Sequence, residues 1–188
     1  MSVRRLGPAD YRAMPWANGR GSTVELARED DAAGNLLWRL SMAEIVEAGD
    51  FSPFPGIDRI LTLTEGPGFD LDFGPHGRVA PVEPLLPVAF SGDWPTRAGN
   101  VRGPSRDLNV MVRRGALGAA VRIMRAGPVS VAATGWTLLL ALAGAWTLRA
   151  AKTEHRLAEP DLLVVAGAAV TGEGDGILAV VELAAVPG

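Results

Sequence analysis

An all-β fold of the sandwich or barrel type is predicted by three features of the sequence. Hydrophobic residues make up 48% of the 188 residues, which is enough for a substantial core. The 23 glycines and 14 prolines separate short segments of alternating apolar and polar residues, as in proteins made of many short strands. The order of segments in the first half of the chain also recurs in the second half.

The charge and the cysteine count exclude several classes of protein. A net charge of −3 provides no basic surface for nucleic acid, so no nucleic-acid partner is expected. The chain has no cysteine, which rules out disulfides, thiol catalysis and cysteine-rich zinc sites. Residues 1–8 lack the apolar core of a signal peptide, and we therefore expect a cytoplasmic protein.

The stretch between Arg125 and Arg149 carries no charge and has the length of a membrane span. It contains Gly127, Pro128 and Gly144, and strand-like segments lie between these turn residues. Two buried strands joined by a turn explain the stretch better than a membrane helix does. No membrane partner is therefore expected.

The N-terminal segments come first in the predicted architecture. Residues 14–23 form a glycine-rich loop that lacks the lysine and the spacing of a P-loop, so no nucleotide site is predicted there. A short strand is predicted from Thr23 to Ala27. The next strand, from Leu37 to Ala43, places Arg39 and Ser41 on the face opposite its large apolar residues.

The most informative stretch runs from Phe51 to Gly68. It opens with a stiff aromatic turn, because Pro53 and Pro55 fix two φ angles, and it continues as an alternating strand. Arg59 begins the face of this strand that continues with two leucines. A guanidinium there either reaches solvent at the strand end or lines a cavity, where it would suit an anionic ligand. Residues 69–73 alternate again and complete a hairpin.

A second alternating segment runs from Asp107 to Arg113. Asp107 and Asn109 share its polar face, and an apolar face lies opposite. Two interpretations stay open at this point. The polar face either meets solvent or projects into the cavity of a small barrel.

The second half of the chain repeats the first at an offset of 76 residues. Gly68 corresponds to Gly144, and Glu83 corresponds to Glu159. The second copy holds almost only Ala, Leu, Val and Gly where a site would lie. The repeat therefore predicts a working first half and a structural second half, which either packs against the first or forms the face of a homodimer.

Five motifs follow one another within residues 14–115. They are Pro15–Thr23, Trp38–Ser41, Phe51–Arg59, Leu61–Gly66 and Asp107–Gly115. Together and in this order they resemble the HutD/Ves family of cupin-fold proteins. One departure lies in the first loop, where the family reads Asn-Gly-Gly-Gly and Arg20 replaces the middle glycine.

The resemblance implies a bicupin, with two cupin-like β-barrels in tandem. We expect residues 1–120 to form the N-terminal barrel with the ligand pocket, while the N-terminal strands are free to complete the other barrel. Residues 121–188 then form a degenerate C-terminal half. The resemblance also implies an association with histidine utilisation, in which HutD members bind an intermediate such as formiminoglutamate and limit pathway activity. No established reaction comes with it.

The residues give little support for a metal site or for a catalytic nucleophile. A metal cupin needs a cluster of histidines and a carboxylate, whereas this chain has only His76 and His155, both expected in solvated loops. A Gly-x-Ser-x-Gly elbow is absent. Acid–base catalysis by Asp107 or Glu25 stays open, but we predict no catalytic residue, no cofactor and no metal.

A protein that binds a small anionic ligand is the preferred hypothesis. Arg39 and Arg59 would hold carboxylates, polar groups would bind neutral or N–H groups, and aromatic residues would form the wall. The predicted ligand-binding residues are Trp16, Asn18, Thr23, Arg39, Ser41, Phe54, Arg59, Asp107 and Asn109. Two alternatives are a metal-independent enzyme acting on a small carboxylate or sugar-like substrate and a structural dimerisation module without a ligand.

Overall fold

The computed structural model describes residues 1–16, 22–133 and 135–187. It confirms the all-β prediction, because the described residues form strands and only two short 3₁₀ turns, Pro8–Asp10 and Gly74–His76. Among them no helix has the length and apolar character needed to cross a membrane. The uncharged stretch includes the end of one strand, the whole of the next and the beginning of a third.

Seventeen strands are present in the described residues. They are β1 (Ser2–Leu6), β2 (Arg12–Pro15), β3 (Ser22–Asp30), β4 (Leu36–Ile45), β5 (Gly49–Asp50), β6 (Ile57–Glu65), β7 (Asp70–Asp72), β8 (Arg78–Val79), β9 (Val88–Ser91), β10 (Arg97–Gly99), β11 (Ser105–Arg113), β12 (Leu117–Val131), β13 (Trp136–Ala143), β14 (Ala145–Ala150), β15 (Thr153–Ala158), β16 (Leu162–Ala166) and β17 (Val170–Ala185).

The chain divides into two compact units. Residues 12–116 form one, which we call the continuous unit, and residues 1–11 with 117–188 form the other, which we call the split unit. Strand β1 pairs antiparallel with β16, from Ser2 opposite Ala166 to Leu6 opposite Leu162. The N-terminal strand thus belongs to the same unit as the C-terminal half, an arrangement that the predicted division left open.

The continuous unit contains two antiparallel sheets. One has the strand order β2-β3-β4-β11-β6-β9, and the other has the order β5-β10-β7-β8. Its hydrophobic cluster includes Leu61 and Leu63 from β6 and Phe69 and Leu71 from the next hairpin. Gly66 turns the chain between these strands at a φ of +88°, which favours glycine.

The split unit forms a sheet of the order β1-β16-β13-β17-β14-β15, with β12 also paired to β17. Strand β17 is long enough to pair with β14 through its first half and with β13 through its second half. Its hydrophobic cluster contains only apolar side chains, among them Leu139, Trp146, Leu148 and Val180, none of which is more than 1% exposed. The described part of this interior is apolar and comes from the unit's own strands.

Buried polar residues are concentrated in the continuous unit. Among the described residues, the split unit buries Thr137. The continuous unit buries Glu25, Ser41, Arg59, Thr62, Asp70, Thr96, Ser105, Asp107 and Asn109. Because a buried polar group is costly unless it is hydrogen-bonded, this unequal distribution indicates where a functional site lies.

Candidate functional site

A cavity of about 390 Å³ lies within the continuous unit. Eight of the nine predicted ligand-binding residues line it, and the ninth, Asn18, lies outside the described residues. The eight are Trp16, Thr23, Arg39, Ser41, Phe54, Arg59, Asp107 and Asn109. The structure therefore brings into one place residues that are as much as 93 positions apart in the chain.

The pairing of β11 with both β4 and β6 assembles the polar wall. Asn109 is opposite Ser41 on β4. Met111 is opposite Arg39 on β4 and Arg59 on β6. Since side chains directly opposite one another point to the same face of a sheet, these residues line the cavity together. Of the two interpretations of the polar face of β11, the geometry supports the cavity.

Arg59 lies at the most apolar part of this wall. Its side chain is almost completely buried, and its Cζ atom is 5.3, 5.4 and 5.0 Å from the ring centroids of Phe51, Phe54 and Phe90. Its Nε atom donates a long hydrogen bond of 3.5 Å to Oδ1 of Asn109. Among the described residues, no carboxylate lies within 4.0 Å of its guanidinium. Burial lowers the pKa of Arg59 to about 10, so it remains charged at neutral pH.

Asp107 is a second buried charge without a direct partner. It is 1% exposed, and neither carboxyl oxygen has a hydrogen-bond partner among the described residues. Burial raises the pKa of Asp107 to about 7, and the positive charge of Arg59 opposes that rise. The carboxyl group consequently keeps its proton to a much higher pH than an exposed aspartate does.

Arg39 differs from Arg59 because it already has a counter-ion. Its Nε atom is 2.9 Å from Oε2 of Glu25, and both side chains are mostly buried, at 12% and 9% exposed. Its Nη2 atom also lies 3.4 Å from Sδ of Met14. Burial lowers the pKa of Arg39, while Glu25 opposes this effect. The charge available to an anion therefore comes mainly from Arg59.

Residues 51–56, which we call the aromatic loop, lie over Arg59. They are held by hydrogen bonds that the sequence did not reveal. The N–H of Phe54 donates to the carbonyl of Gly92 at 2.9 Å, and the N–H of Gly56 donates to Oδ1 of Asp93 at 3.0 Å. Arg114 in turn donates to Asp93. A side chain at position 92 would place its Cβ 2.5 Å from the Phe54 carbonyl, so this contact requires glycine. The loop is thus a fixed part of the cavity wall.

Trp16 is fixed by a side-chain contact of its own. Its Nε1 atom donates a 2.9 Å hydrogen bond to Oγ1 of Thr23, and both residues line the cavity. Half of the sixteen lining residues were not predicted, among them Met14, Ile45 and Met111. These three are apolar residues on strands, and only the strand pairing distinguishes them from ordinary core residues.

The two histidines lie apart from the cavity lining. His76 is in a 3₁₀ turn, where its ring stacks on Trp94 with 4.5 Å between centroids. His155 was expected in a solvated loop, and this was wrong. It lies in β15, and its Nε2 atom is buried with no hydrogen-bond partner in the part of the chain that the structure describes. Within the described ranges, no group of three His, Cys, Asp or Glu residues has the arrangement of a metal site.

Two cupin-like arrays of antiparallel strands, one of which contains a polar cavity, define a bicupin with a candidate small-molecule site. The chain belongs to the HutD family, whose model matches residues 8–180. This confirms the resemblance to the HutD/Ves family and the bicupin fold that it implied.

Three relatives place the chain within the family. It is 35% identical to protein Ves of Citrobacter koseri over 143 residues, or 74% of each chain. It is 40% identical to an uncharacterised 21.2 kDa protein of the hutC 3' region of Pseudomonas putida over 113 residues, or 58% of this chain and 57% of the relative. The structure of HutD from Pseudomonas fluorescens SBW25, from a formate condition, matches with a TM-score of 0.84 and 28% identity, covering 99% of this chain and all of that one.

A more distant likeness concerns the fold alone. A structure of oxalate decarboxylase matches with a TM-score of 0.67 at 7% identity and covers 95% of this chain and 76% of that one.

Proposed function

We propose that this protein binds a small anionic metabolite in the cavity of the continuous unit and thereby modulates histidine utilisation. The observation that carries the proposal is the buried, charged Arg59, which faces a cavity and has no carboxylate within 4.0 Å among the described residues. A buried guanidinium is costly unless an anion pairs with it. A ligand carboxylate would satisfy this requirement.

The shape and chemistry of the cavity support a small polar ligand. Its volume of about 390 Å³ is near the lower end of the range for small-molecule pockets. The planar guanidinium of Arg59 matches a carboxylate in a two-point hydrogen bond. Ser41 and Asn109 add a hydroxyl and an amide on the same wall, and Phe54 and Trp16 provide apolar contact.

A histidine-degradation intermediate is the ligand class that the relatives favour. One relative is named for the hutC region, and another is HutD itself. Formiminoglutamate combines two carboxylates with a nitrogen-bearing group, and this composition suits a cavity lined by both Arg59 and Asp107. We therefore take it as the first probe, with urocanate, histidine and glutamate as controls.

Calorimetric titration of the purified protein tests the proposal. We expect saturable binding of formiminoglutamate and weaker or no binding of the three controls. Arg59→Ala should weaken binding by about 10- to 100-fold, because a hydrogen bond to a charged group contributes about 1.5–3 kcal/mol. Arg59→Met, which keeps most of the apolar stem against the phenylalanine rings, should have a similar effect.

Arg106→Ala is the matched control. Arg106 lies on β11 like Asp107 but is 46% exposed and paired with Glu65, so its loss should leave the affinity unchanged. Unchanged affinity in both Arg59 variants, with their folding verified by circular dichroism, would remove Arg59 from the site. The absence of binding by all four compounds at millimolar concentration would refute the ligand assignment.

A metal-independent enzyme is a second candidate, and one observation favours it. Asp107 has a pKa of about 7 and lines the cavity, so it has the proton affinity of a general acid or base. Incubating the protein with each bound compound and following its consumption by NMR distinguishes the two functions. Consumption that Asp107→Asn abolishes would support the enzyme.

A further inference from the structure

The carboxyl group of Asp107 requires a hydrogen-bond donor, and Arg59 does not provide one. Its two carboxyl oxygens are buried and have no hydrogen-bond partner among the described residues. A buried acceptor without a donor loses its hydration and gains nothing in return. In the continuous unit this contrasts with Asp70, which is equally buried and accepts hydrogen bonds from Arg78, Asn100 and Arg102.

The charged and titratable groups on the neighbouring elements do not supply a hydrogen-bond donor to Asp107. Arg59 on β6 acts on Asp107 through its charge without reaching the 4.0 Å of an ion pair. Arg39 on β4 is paired with Glu25 on β3. Asp50, in the segment before the aromatic loop, is exposed and paired with Arg97.

The residues beside Asp107 in the sheet contribute no donor either. Asp107 is opposite Ala43 on β4 and Leu63 on β6, and both of these side chains are apolar. On its own strand, Asn109 uses its Oδ1 atom to accept from Arg59. No described residue supplies the donor that Asp107 requires, and a donor that enters the cavity would meet this requirement.

We propose that Asp107 accepts a hydrogen bond from an N–H group of the ligand, so that the cavity selects acids that carry an N–H donor and releases a proton when it binds them. The inference rests on the proposed function, in which Arg59 holds a carboxylate of the same ligand. The two groups together recognise a molecule with an anionic end and an N–H group, while an acid without the N–H group leaves Asp107 unsatisfied.

Proton release follows because an ionised carboxylate accepts a stronger hydrogen bond from an N–H donor than a protonated carboxyl group does. Ligand binding then shifts the protonation equilibrium of Asp107 toward the ionised form. With a pKa of about 7 in the free protein, about half a proton is released per ligand at pH 7. The same linkage makes the affinity about tenfold weaker at pH 6 than at pH 8.

Calorimetry in two buffers of different ionisation enthalpy, phosphate and Tris, measures the released proton directly. The probes are formiminoglutamate, which carries an N–H donor, and glutarate, which has the same two carboxylates on a five-carbon chain without nitrogen. We expect formiminoglutamate to release about half a proton at pH 7. Glutarate should bind at least about tenfold more weakly and release none.

Asp107→Asn is the matched variant, because it keeps the shape of the side chain and cannot ionise. It should abolish both the buffer dependence and the pH dependence of formiminoglutamate binding. Proton release that persists unchanged in Asp107→Asn would overturn the assignment to Asp107. Equal affinity for glutarate and formiminoglutamate would overturn the requirement for an N–H group.

The outcomes separate this inference from the proposed function. Binding of formiminoglutamate that Arg59→Met abolishes, but that releases no proton, refutes the role of Asp107 and leaves the proposed function standing. Absence of binding by both probes refutes the proposed function and this inference with it.

Discussion

Replacing Asp107 by asparagine should stabilise the protein at neutral and alkaline pH. Asp107 is 1% exposed, and its carboxylate has no hydrogen-bond donor among the described residues. An ionised carboxylate in such a place opposes folding, whereas asparagine has almost the same shape and carries no charge. The change thus removes the charge while keeping the packing.

The magnitude follows from the pKa of Asp107, which burial raises from 3.8 to about 7. Between these two values the folded protein holds a proton that the unfolded chain has lost, so stability falls as the pH rises. Above pH 7 Asp107 is ionised in the folded protein, and its burial then lowers the free energy of unfolding by about 4 kcal/mol. The free energy of unfolding of Asp107→Asn should accordingly exceed that of the wild type by about 2 kcal/mol at pH 5 and by about 4 kcal/mol at pH 8.

Urea unfolding of both proteins at pH 5 and pH 8, followed by tryptophan fluorescence, measures this advantage. Asp70→Asn is the control, since Asp70 is equally buried but receives three side-chain donors that hold its pKa down at about 2. It should be less stable than the wild type at pH 8, and the contribution of Asp70 is lost only as the pH falls through about 2. If Asp107→Asn is less stable than the wild type at pH 8, Asp107 has a partner and the argument fails.

Two further predictions concern the split unit, and thermal unfolding followed by circular dichroism tests both. Leu148→Ala should lower the free energy of unfolding by about 2–5 kcal/mol, because Leu148 is completely buried in the apolar cluster; an unchanged stability would contradict that packing. Gly174→Ala should lower the free energy of unfolding by about 1–3 kcal/mol, because the added Cβ would overlap the indole of Trp146. In the control Gly118→Ala the added Cβ meets no atom within 4 Å, so this change should be nearly neutral. Equal effects of the two changes would refute this account.

Many of the strands and half of the cavity lining could be predicted from the sequence because both depend on local alternation. A period of two assigns Arg39 and Ser41 to one face, and it does the same for Asp107 and Asn109. Alternation does not show which face is buried when both faces are covered, and β11 is buried along both of its faces. The choice between solvent and cavity therefore required the structure.

Long-range contacts could not be predicted by the same reasoning. Nothing in the local pattern pairs Glu25 with Arg39, which leaves Arg59 as the main charge available to an anion. The pairing of β1 with β16 joins segments about 160 residues apart, a distance at which local propensity carries no information. The Glu25–Arg39 ion pair is the contact that distinguishes the two predicted arginines.

The two units show the same kind of sheet with different interiors. In the split unit, the core-facing residues of β17 include Leu178 and Val180, which pair with Ala141 and Leu139 of β13 and are completely buried. In the continuous unit, β11 instead presents Asp107 toward the interior. An apolar side chain would therefore fit this fold and would avoid the cost of a buried carboxylate. One unit has an apolar interior, whereas the other keeps the Asp107 carboxylate, for which the described residues provide no partner. Asp107 therefore lowers the stability of the fold. Such a loss of stability is expected where a residue serves binding rather than folding.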